Sequence, residues 1–379
     1  MSVPFGKLTL LGIGASLAFG PTASAQVRRN EQERPPSMTL EQYEPRSMLV
    51  TTETVVRRAK FPFIDIHGHQ NLTRPDSVLG ALVEEMDRIG LRTMINLSGG
   101  SGEQLAAQVR NARARFPGRF AVFANIDWNR VNEPNFARDA AAQLERDVKQ
   151  GGAVGLKIFK NLGMDVYWSD STRVRTDDSR LAPIWDMAGT LGIPVLIHTA
   201  EPAAFFEPLD EHNERYLELT LFPSRTRPAD KYPSFDSLMA EQHRMFKRHA
   251  NTKFISAHLS WLGQDLGRLG RTLDSIPNMY VEVAAALYEI GRQPRAGREF
   301  FTKYQDRILM GKDTFGGQDE FAVYFRIFET NDEYFPWYRK RHAFWGMYGL
   351  GLSDEVLQKI YYRNALAIVP GLDASAFPQ

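Results

Sequence analysis

No cysteine occurs anywhere in the 379 residues. Disulfides, thiolate metal sites, a cysteine nucleophile and a lipid-anchored N-terminal cysteine are excluded together. Any metal must therefore be held by histidine nitrogen and carboxylate oxygen. An excess of one charge is lacking too: 46 Lys and Arg face 45 Asp and Glu, for a formal net charge of +1. Such a chain has no broad field to attract nucleic acid or acidic membranes. Past the first twenty residues no apolar run is long enough to cross a bilayer. No repeat of solenoid or propeller length appears. What is present is an ordinary soluble composition, 43% hydrophobic and 24% charged. The length suits one large domain or two ordinary ones.

The first 25 residues read as a signal peptide. Lys7 gives a modest positive start, residues 8–20 (LTLLGIGASLAFG) are apolar, and Ala23-Ser24-Ala25 offers a cleavage site. Charge, apolar stretch and small residues come in the order that export requires. Cleavage after Ala25 leaves Gln26 as the mature start, and the mature chain is expected to be secreted or periplasmic. Residues 26–59 contain Pro35, Pro36 and Pro45 and no sustained periodicity. They read as a linker or N-terminal arm.

From residue 60 to 379, strand-like apolar runs alternate with amphipathic helical stretches. The runs are Phe61–His67, Thr93–Ser98, Phe120–Ile126, Ala153–Phe159, Pro194–His198, Lys253–His258, Met279–Ala284 and Arg307–Asp313. Between the first two, Pro75 opens a helix and Gly90 stops it. Ser101 and Gln104 form a capping-box pattern for the next helix. Eight β-then-α units predict a parallel sheet closed into a (β/α)₈ TIM barrel. A doubly wound open sheet is the alternative, but no Gly-rich phosphate turn follows the first run. About 250 residues suffice for such a barrel, so insertions are expected after strands 5 and 8. The second of these is rich in aromatics, from Phe321 to Trp345. Part of it must be helical core, and the rest is a lid or a subunit contact.

Residues two apart on a strand share a face. His67 and His69 can thus both aim at the barrel mouth, with Gly68 keeping the backbone between them slim. His198, His258 and Asp313 end the fifth, sixth and eighth runs. Barrel enzymes place catalytic groups at that rim, whereas core histidines should scatter along strands. Lys157 lies near the end of the fourth run and Glu282 on the seventh, with Asp127 just past the third. A buried lysine needs a partner: an acidic substrate, Asp127, Glu282, or a bridged metal pair. Glu282 and Asp127 either bind substrate hydroxyls or form salt bridges inside the barrel. Trp128, Tyr167, Trp168, Phe205, Phe206, Trp261 and Tyr288 follow strand ends, where they wall a pocket or pack the insertions.

The segments IDIHGH, VGLKIF, PVLIHTAEP, FISAHLSW, ILMGKD and KIYYRNALAIV, in this order, resemble the amidohydrolase superfamily. Within it they are similar to the amidohydrolase-related branch that includes aminocarboxymuconate-semialdehyde decarboxylase-like enzymes. The resemblance spans about residues 61–370. It implies a divalent metal, usually zinc with manganese or iron as alternatives, held by His67, His69, His198 and Asp313. It also implies an acid/base or substrate-polarising role for His258. A carboxylated lysine near the end of the fourth strand bridges two metals in some superfamily members. Two departures stand out: Lys312 occupies a place that is commonly small, and Phe315-Gly316-Gly317 replaces a usual proline.

Catalytic Asp313 and His258 with a metal predict hydrolysis of a small amide, lactone or ester by activated water. The alternative is non-oxidative decarboxylation of an unsaturated or aromatic acid, with the same ligands. A non-catalytic binding protein on the same fold predicts a broken ligand set, and none of the five positions is broken. The expected partner is a small molecule, and a homo-oligomer is left open.

Overall fold

The computed structural model describes residues 37–39, 42–342 and 345–378. The expected signal peptide lies outside these. The chain divides into two compact units, 1–48 and 49–379. The described residues of the first are exposed, and hold a turn in which the Gln42 and Tyr43 N–H groups donate to Thr39 O. The second unit begins earlier than residue 60. Thr54 is tied to Asp332 through backbone and hydroxyl, and the Ala59 N–H donates to Ile89 O. No helix among the described residues is long and apolar enough to cross a membrane.

Eight strands form one parallel sheet in chain order: β1 (Phe63–Gly68), β2 (Leu91–Asn96), β3 (Phe120–Asn125), β4 (Gly155–Ile158), β5 (Val195–Ile197), β6 (Phe254–Ser256), β7 (Met279–Glu282) and β8 (Ile308–Leu309). The last strand returns to the first. The Ile66 N–H donates to Met310 O at 3.0 Å, and the Asp313 N–H to His67 O at 2.7 Å. The chain is therefore a (β/α)₈ TIM barrel, as the alternating runs predict. Strands β4, β5 and β6 are buried along their whole length, which fits strands covered on both faces.

The helix Asp76–Ile89 shows how local sequence fixes an element. Pro75 precedes its first turn, Asp76 complements the positive N-terminus, and Gly90 closes it at φ +86°. That left-handed closure suits glycine because it has no Cβ. Leu79, Met86 and Ile89 form the buried stripe. The next helix, Gly102–Arg115, departs from expectation. Ser101 makes no side-chain cap bond. The Gly102 N–H is taken instead by Asp147 Oδ1 at 2.7 Å, so a tertiary acceptor replaces the capping box.

The expected eighth strand ran to Asp313, yet only Ile308 and Leu309 are laddered. The Met310 N–H goes to Ile360 O at 3.0 Å. Ile360 lies in a π-helical turn, Lys359–Arg363, whose wider winding leaves a carbonyl free. The chain then bends over the barrel mouth. The aromatic stretch after it is partly core: Phe321 and Phe325, from the helix Gln318–Glu329, meet Phe63 in tilted and edge-on contacts with ring centres 5.7 and 5.5 Å apart. Lys312 belongs to this arrangement. Its ammonium binds Glu320 at 2.5 Å and lies over the rings of Tyr338 and Tyr324. The unusual lysine beside Asp313 thus anchors the β8 loop to the following helix.

Candidate active site

Backbone strain marks the carboxyl rim of the barrel. Ala200, His258, Leu259, Ser260, Trp261, Ala285 and Asp313 all have φ between +49° and +74°. None is glycine, and they follow β5, β6, β7 and β8. Left-handed backbone costs about 1–2 kcal/mol for each such residue, and it persists where surroundings over-determine it. Behind the His258–Trp261 turn, Ser260 Oγ lies 3.0 Å from Ser256 Oγ, and Gln242 donates to both. Sequence gives no signal for this, since glycine is the usual marker of positive φ.

At this rim three donor atoms converge. His67 Nε2 lies 3.5 Å and His69 Nε2 3.4 Å from Asp313 Oδ1. The set could hold a metal ion. Gly68 is required between the two histidines, because a Cβ there would meet Met94 Cγ at 2.6 Å. The opposite ring nitrogens are fixed from behind. His67 Nδ1 donates to Glu282 Oε1 at 2.9 Å, and His69 Nδ1 lies 2.8 Å from Ser98 Oγ. Such bonds orient the remaining lone pair toward a metal. Asp65 Oδ1 accepts from both His67 N and Lys312 N at 3.0 Å, tying β1 to the β8 loop. Burial pushes its carboxyl up to about 7.

Glu282 is the hub of the cluster. Beyond His67, its Oε1 accepts the His258 N–H at 2.7 Å and its Oε2 accepts the Ala284 N–H. The side chain is fully buried, and Gly311 makes room for it, since a Cβ there would stand 2.6 Å from Oε2. Glu282, His67 and His258 also form a group that could hold an ion. In the structure their facing atoms are already used in bonds to protein, which gives Glu282 an orienting place rather than a substrate-facing one.

His258 Nδ1 donates to Ala284 O at 2.8 Å, which leaves Nε2 as the lone-pair end. That nitrogen is 3.3 Å from His198 Nδ1. The three converging atoms do not include one from His198. Its Nε2 is buried without a hydrogen-bond partner, 3.7 Å from Glu201 Oε2. Trp261 packs on His258 at 4.4 Å between ring centres. Lys157 is fully buried and its Nζ has no hydrogen-bond partner. Asp127 stands apart: its Oδ1 accepts from Asn129 N and Nδ2 as a turn cap. Trp128 and Trp168 are likewise elsewhere, against Phe136 and Arg180.

Electrostatics sort these groups. Burial would raise the Asp313 carboxyl, but the His69 hydrogen bond and the neighbouring imidazoles outweigh it and hold it far below the usual range. Burial lowers His258 to about 3 and His198 to about 4, so both are neutral near pH 7. Burial lowers Lys157 to about 8, against the charges of Glu282 and Asp313.

Two openings reach the cluster. A cleft of about 450 Å³ is lined by His69, Asp313, Gln70, Arg74 and Phe315. A smaller cavity of about 100 Å³ lies against His258, Trp261, Arg215 and Tyr288.

Histidines far from the cluster set a pH limit. Burial lowers His243 to about 4 and His342 to about 2, from an ordinary value of about 6.5. The unfolded chain therefore takes up protons that the fold resists. Their contribution to stability is complete above about pH 6.5 and falls as pH drops toward 4, by up to about 1.4 kcal/mol per pH unit for each histidine. Urea denaturation is expected to show a lower midpoint at pH 5 than at pH 7. Equal midpoints would contradict the neutral buried state.

A family model described as amidohydrolase matches residues 64–371, and the chain belongs to that family. No curated protein matches the chain. Several solved structures are similar. One is 2,6-dihydroxybenzoate decarboxylase from Rhizobium, at 15% identity and TM-score 0.50, over 81% of this chain and 98% of that one. Another is dihydroxybenzoic acid decarboxylase from Polaromonas with bound manganese and 2-nitroresorcinol, at 16% identity and TM-score 0.51, over 83% and 99%. A third is 4-oxalomesaconate hydratase from Rhodopseudomonas palustris, at 15% identity and TM-score 0.51, over 83% and 97%. At such identities the likeness is one of fold.

Proposed function

We propose that the chain is a metal-dependent hydrolase acting on a small amide, lactone or ester. The observation that carries this is the convergence of His67 Nε2, His69 Nε2 and Asp313 Oδ1 within 4.8 Å of one another. Two imidazoles and a carboxylate, in a chain without cysteine, suit zinc, manganese or iron. Zinc is the first choice. His198 is proposed as a fourth ligand through its unpartnered, buried Nε2. The chemistry such an ion supplies is polarisation of a carbonyl and a lowered pKa for water.

The chain's own groups supply the rest. Asp313 is ionised and can take a proton on Oδ2, the oxygen outside the converging set, from the attacking water, then return it to the leaving group. Ala284 O holds the His258 tautomer, so that Nε2 presents a lone pair that can accept a proton from the reacting group, and it acts on the substrate as a donor only after that transfer. Glu282 aligns His67 and the backbone of His258 together. His258→Ala is expected to keep its fold and lose turnover by about 10²–10³-fold. Wild-type rates in that variant would remove His258 from the mechanism.

A second reading, decarboxylation of an unsaturated or aromatic acid, is favoured by the unpaired ammonium of Lys157, which an acid would neutralise. The two separate on a panel of lactones, amides and aromatic acids run in ¹⁸O-water. Hydrolysis puts ¹⁸O into the product, whereas decarboxylation releases carbon dioxide without net water uptake. Export is proposed from the N-terminal segment alone. Mass analysis of the chain recovered outside the cytoplasm should show Gln26 as the first residue, and an intact Met1 there would contradict it.

A further inference from the structure

The chamber of about 100 Å³ beside His258 adjoins an open cleft of about 320 Å³, for Ala203 and Gln264 line both. Ala203 puts only a methyl group between them, and Gln264 is exposed. Neither space shares a lining residue with the cleft beside His69 and Asp313. That cleft is built from the residues after β1 and β8. The chamber and its neighbour are built from the residues after β5, β6 and β7. In the closed barrel β5 stands across the mouth from β1. His258 is the partition, because it lines the chamber while its ring stacks on His67 at 5.0 Å. The site is thus open on two sides.

Charge and hydrogen bonding indicate what the second side takes. Arg227 and Arg268 line the outer cleft together with Glu207 and Asp236. Arg268 is paired with Asp236 at 2.7 Å, and Arg227 with Glu201 at 2.9 Å. In the chamber Arg215 is held by Glu218 at 2.8 Å. Every arginine that lines these two spaces already has a carboxylate, so neither calls for an anion. Two neutral needs remain. Trp261 Nε1 in the chamber and Arg227 Nε in the cleft are buried with no hydrogen-bond partner among the described residues. A buried N–H without an acceptor is unfavourable. The walls around them are aromatic: Phe206, Tyr232 and Phe235 line the outer cleft, with Phe206 edge-on to Phe235 at 5.9 Å between ring centres. Unused donors set in aromatic walls suit an uncharged ring that carries oxygen acceptors.

We propose that the chamber and its adjoining cleft form a second substrate subsite, which takes a neutral, oxygen-bearing aromatic group. The substrate then has two arms, one in the cleft beside His69 and Asp313 and the other reaching past His258. The proposal rests on the metal-hydrolase reading above and narrows it to an open-chain ester or amide, since a small lactone has no second arm.

The test uses the zinc-loaded full chain, with binding measured by calorimetry and metal counted per chain. The probes are acetohydroxamate, 2-naphthol, and a series of hydroxamates that carry a naphthyloxy group on alkyl chains of increasing length. Wild type is expected to bind acetohydroxamate and 2-naphthol together, each within about two-fold of its affinity alone. One joined probe should bind at least about 100-fold more tightly than acetohydroxamate. The Phe206→Ala, Tyr232→Ala double variant changes two partly exposed side chains. It should lose about ten-fold in affinity for 2-naphthol and most of the gain of the joined probe, with acetohydroxamate binding and metal content as in wild type. Trp261→Phe keeps a ring against His258, removes the N–H, and should weaken the joined probe by about five-fold. Displacement of one short probe by the other in wild type would overturn the proposal. So would a series in which no joined probe gains, or full affinity for 2-naphthol in the folded double variant. Wild type that holds neither metal nor acetohydroxamate would instead sink the enzyme reading, and this one with it.

Discussion

Asp313→Asn is expected to lose turnover by about 10²–10⁴-fold while the barrel stays folded. The substitution keeps shape and volume but removes the charge that His67 Nε2 and His69 Nε2 face at 3.5 and 3.4 Å. Asparagine has no basic oxygen to take a proton from water. It also presents an amide N–H₂ that cannot ligate a cation. The backbone should be indifferent, because the bond that matters there runs from the Asp313 N–H to His67 O. The φ of +74° suits asparagine at least as well as aspartate. Thermal melting near the wild-type midpoint together with loss of rate would place the effect in the chemistry. Wild-type rates would remove Asp313 from the mechanism.

Glu282→Gln is expected to weaken metal binding by about 10–100-fold, although Glu282 lies behind the converging donor atoms and outside that set. One oxygen serves two donors and the other serves a third. Glutamine has only one oxygen. Whichever way its amide turns, an N–H₂ faces a buried N–H donor, which costs about 1–3 kcal/mol. If the amide nitrogen faces His67, the ring must change tautomer or turn, and Nε2 no longer presents its lone pair. The variant should therefore show a weaker zinc affinity and a lower denaturation midpoint together. A zinc affinity equal to wild type would reduce Glu282 to a filler of the space beside Gly311.

Much of this was legible in the sequence because it is local. The strand runs place β3 to within one residue, since Phe120–Ile126 is a continuous apolar stretch between turn signals. The i, i+2 spacing of His67 and His69 put both rings on one face, and the barrel's known asymmetry selected the rim. Long-range geometry was not legible. The shortening of β8 depends on a carbonyl freed by a π-turn fifty residues later. The capping box at Ser101 lost to Asp147, which no local pattern predicts. Glu282 looked like either a substrate ligand or a salt bridge, because a sequence cannot show that three donors surround one carboxylate. The left-handed turn His258–Trp261 carries no glycine to announce it. Lys312, an oddity in sequence, acquired a reason only when Glu320 and the tyrosines were seen around it. His198 is grouped with the ligands by the family resemblance, and a sequence cannot show that its Nδ1 lies 3.3 Å from His258 Nε2 and its Nε2 3.7 Å from Glu201 Oε2.

The most direct measurement is the zinc content of the purified chain, compared with that of a His67→Ala, His69→Ala double variant under identical loading and dialysis. The expected result is one tightly held ion per wild-type chain and almost none in the folded variant. Undiminished metal in the variant, or none in the wild type, would contradict the convergence of these side chains on a single cation.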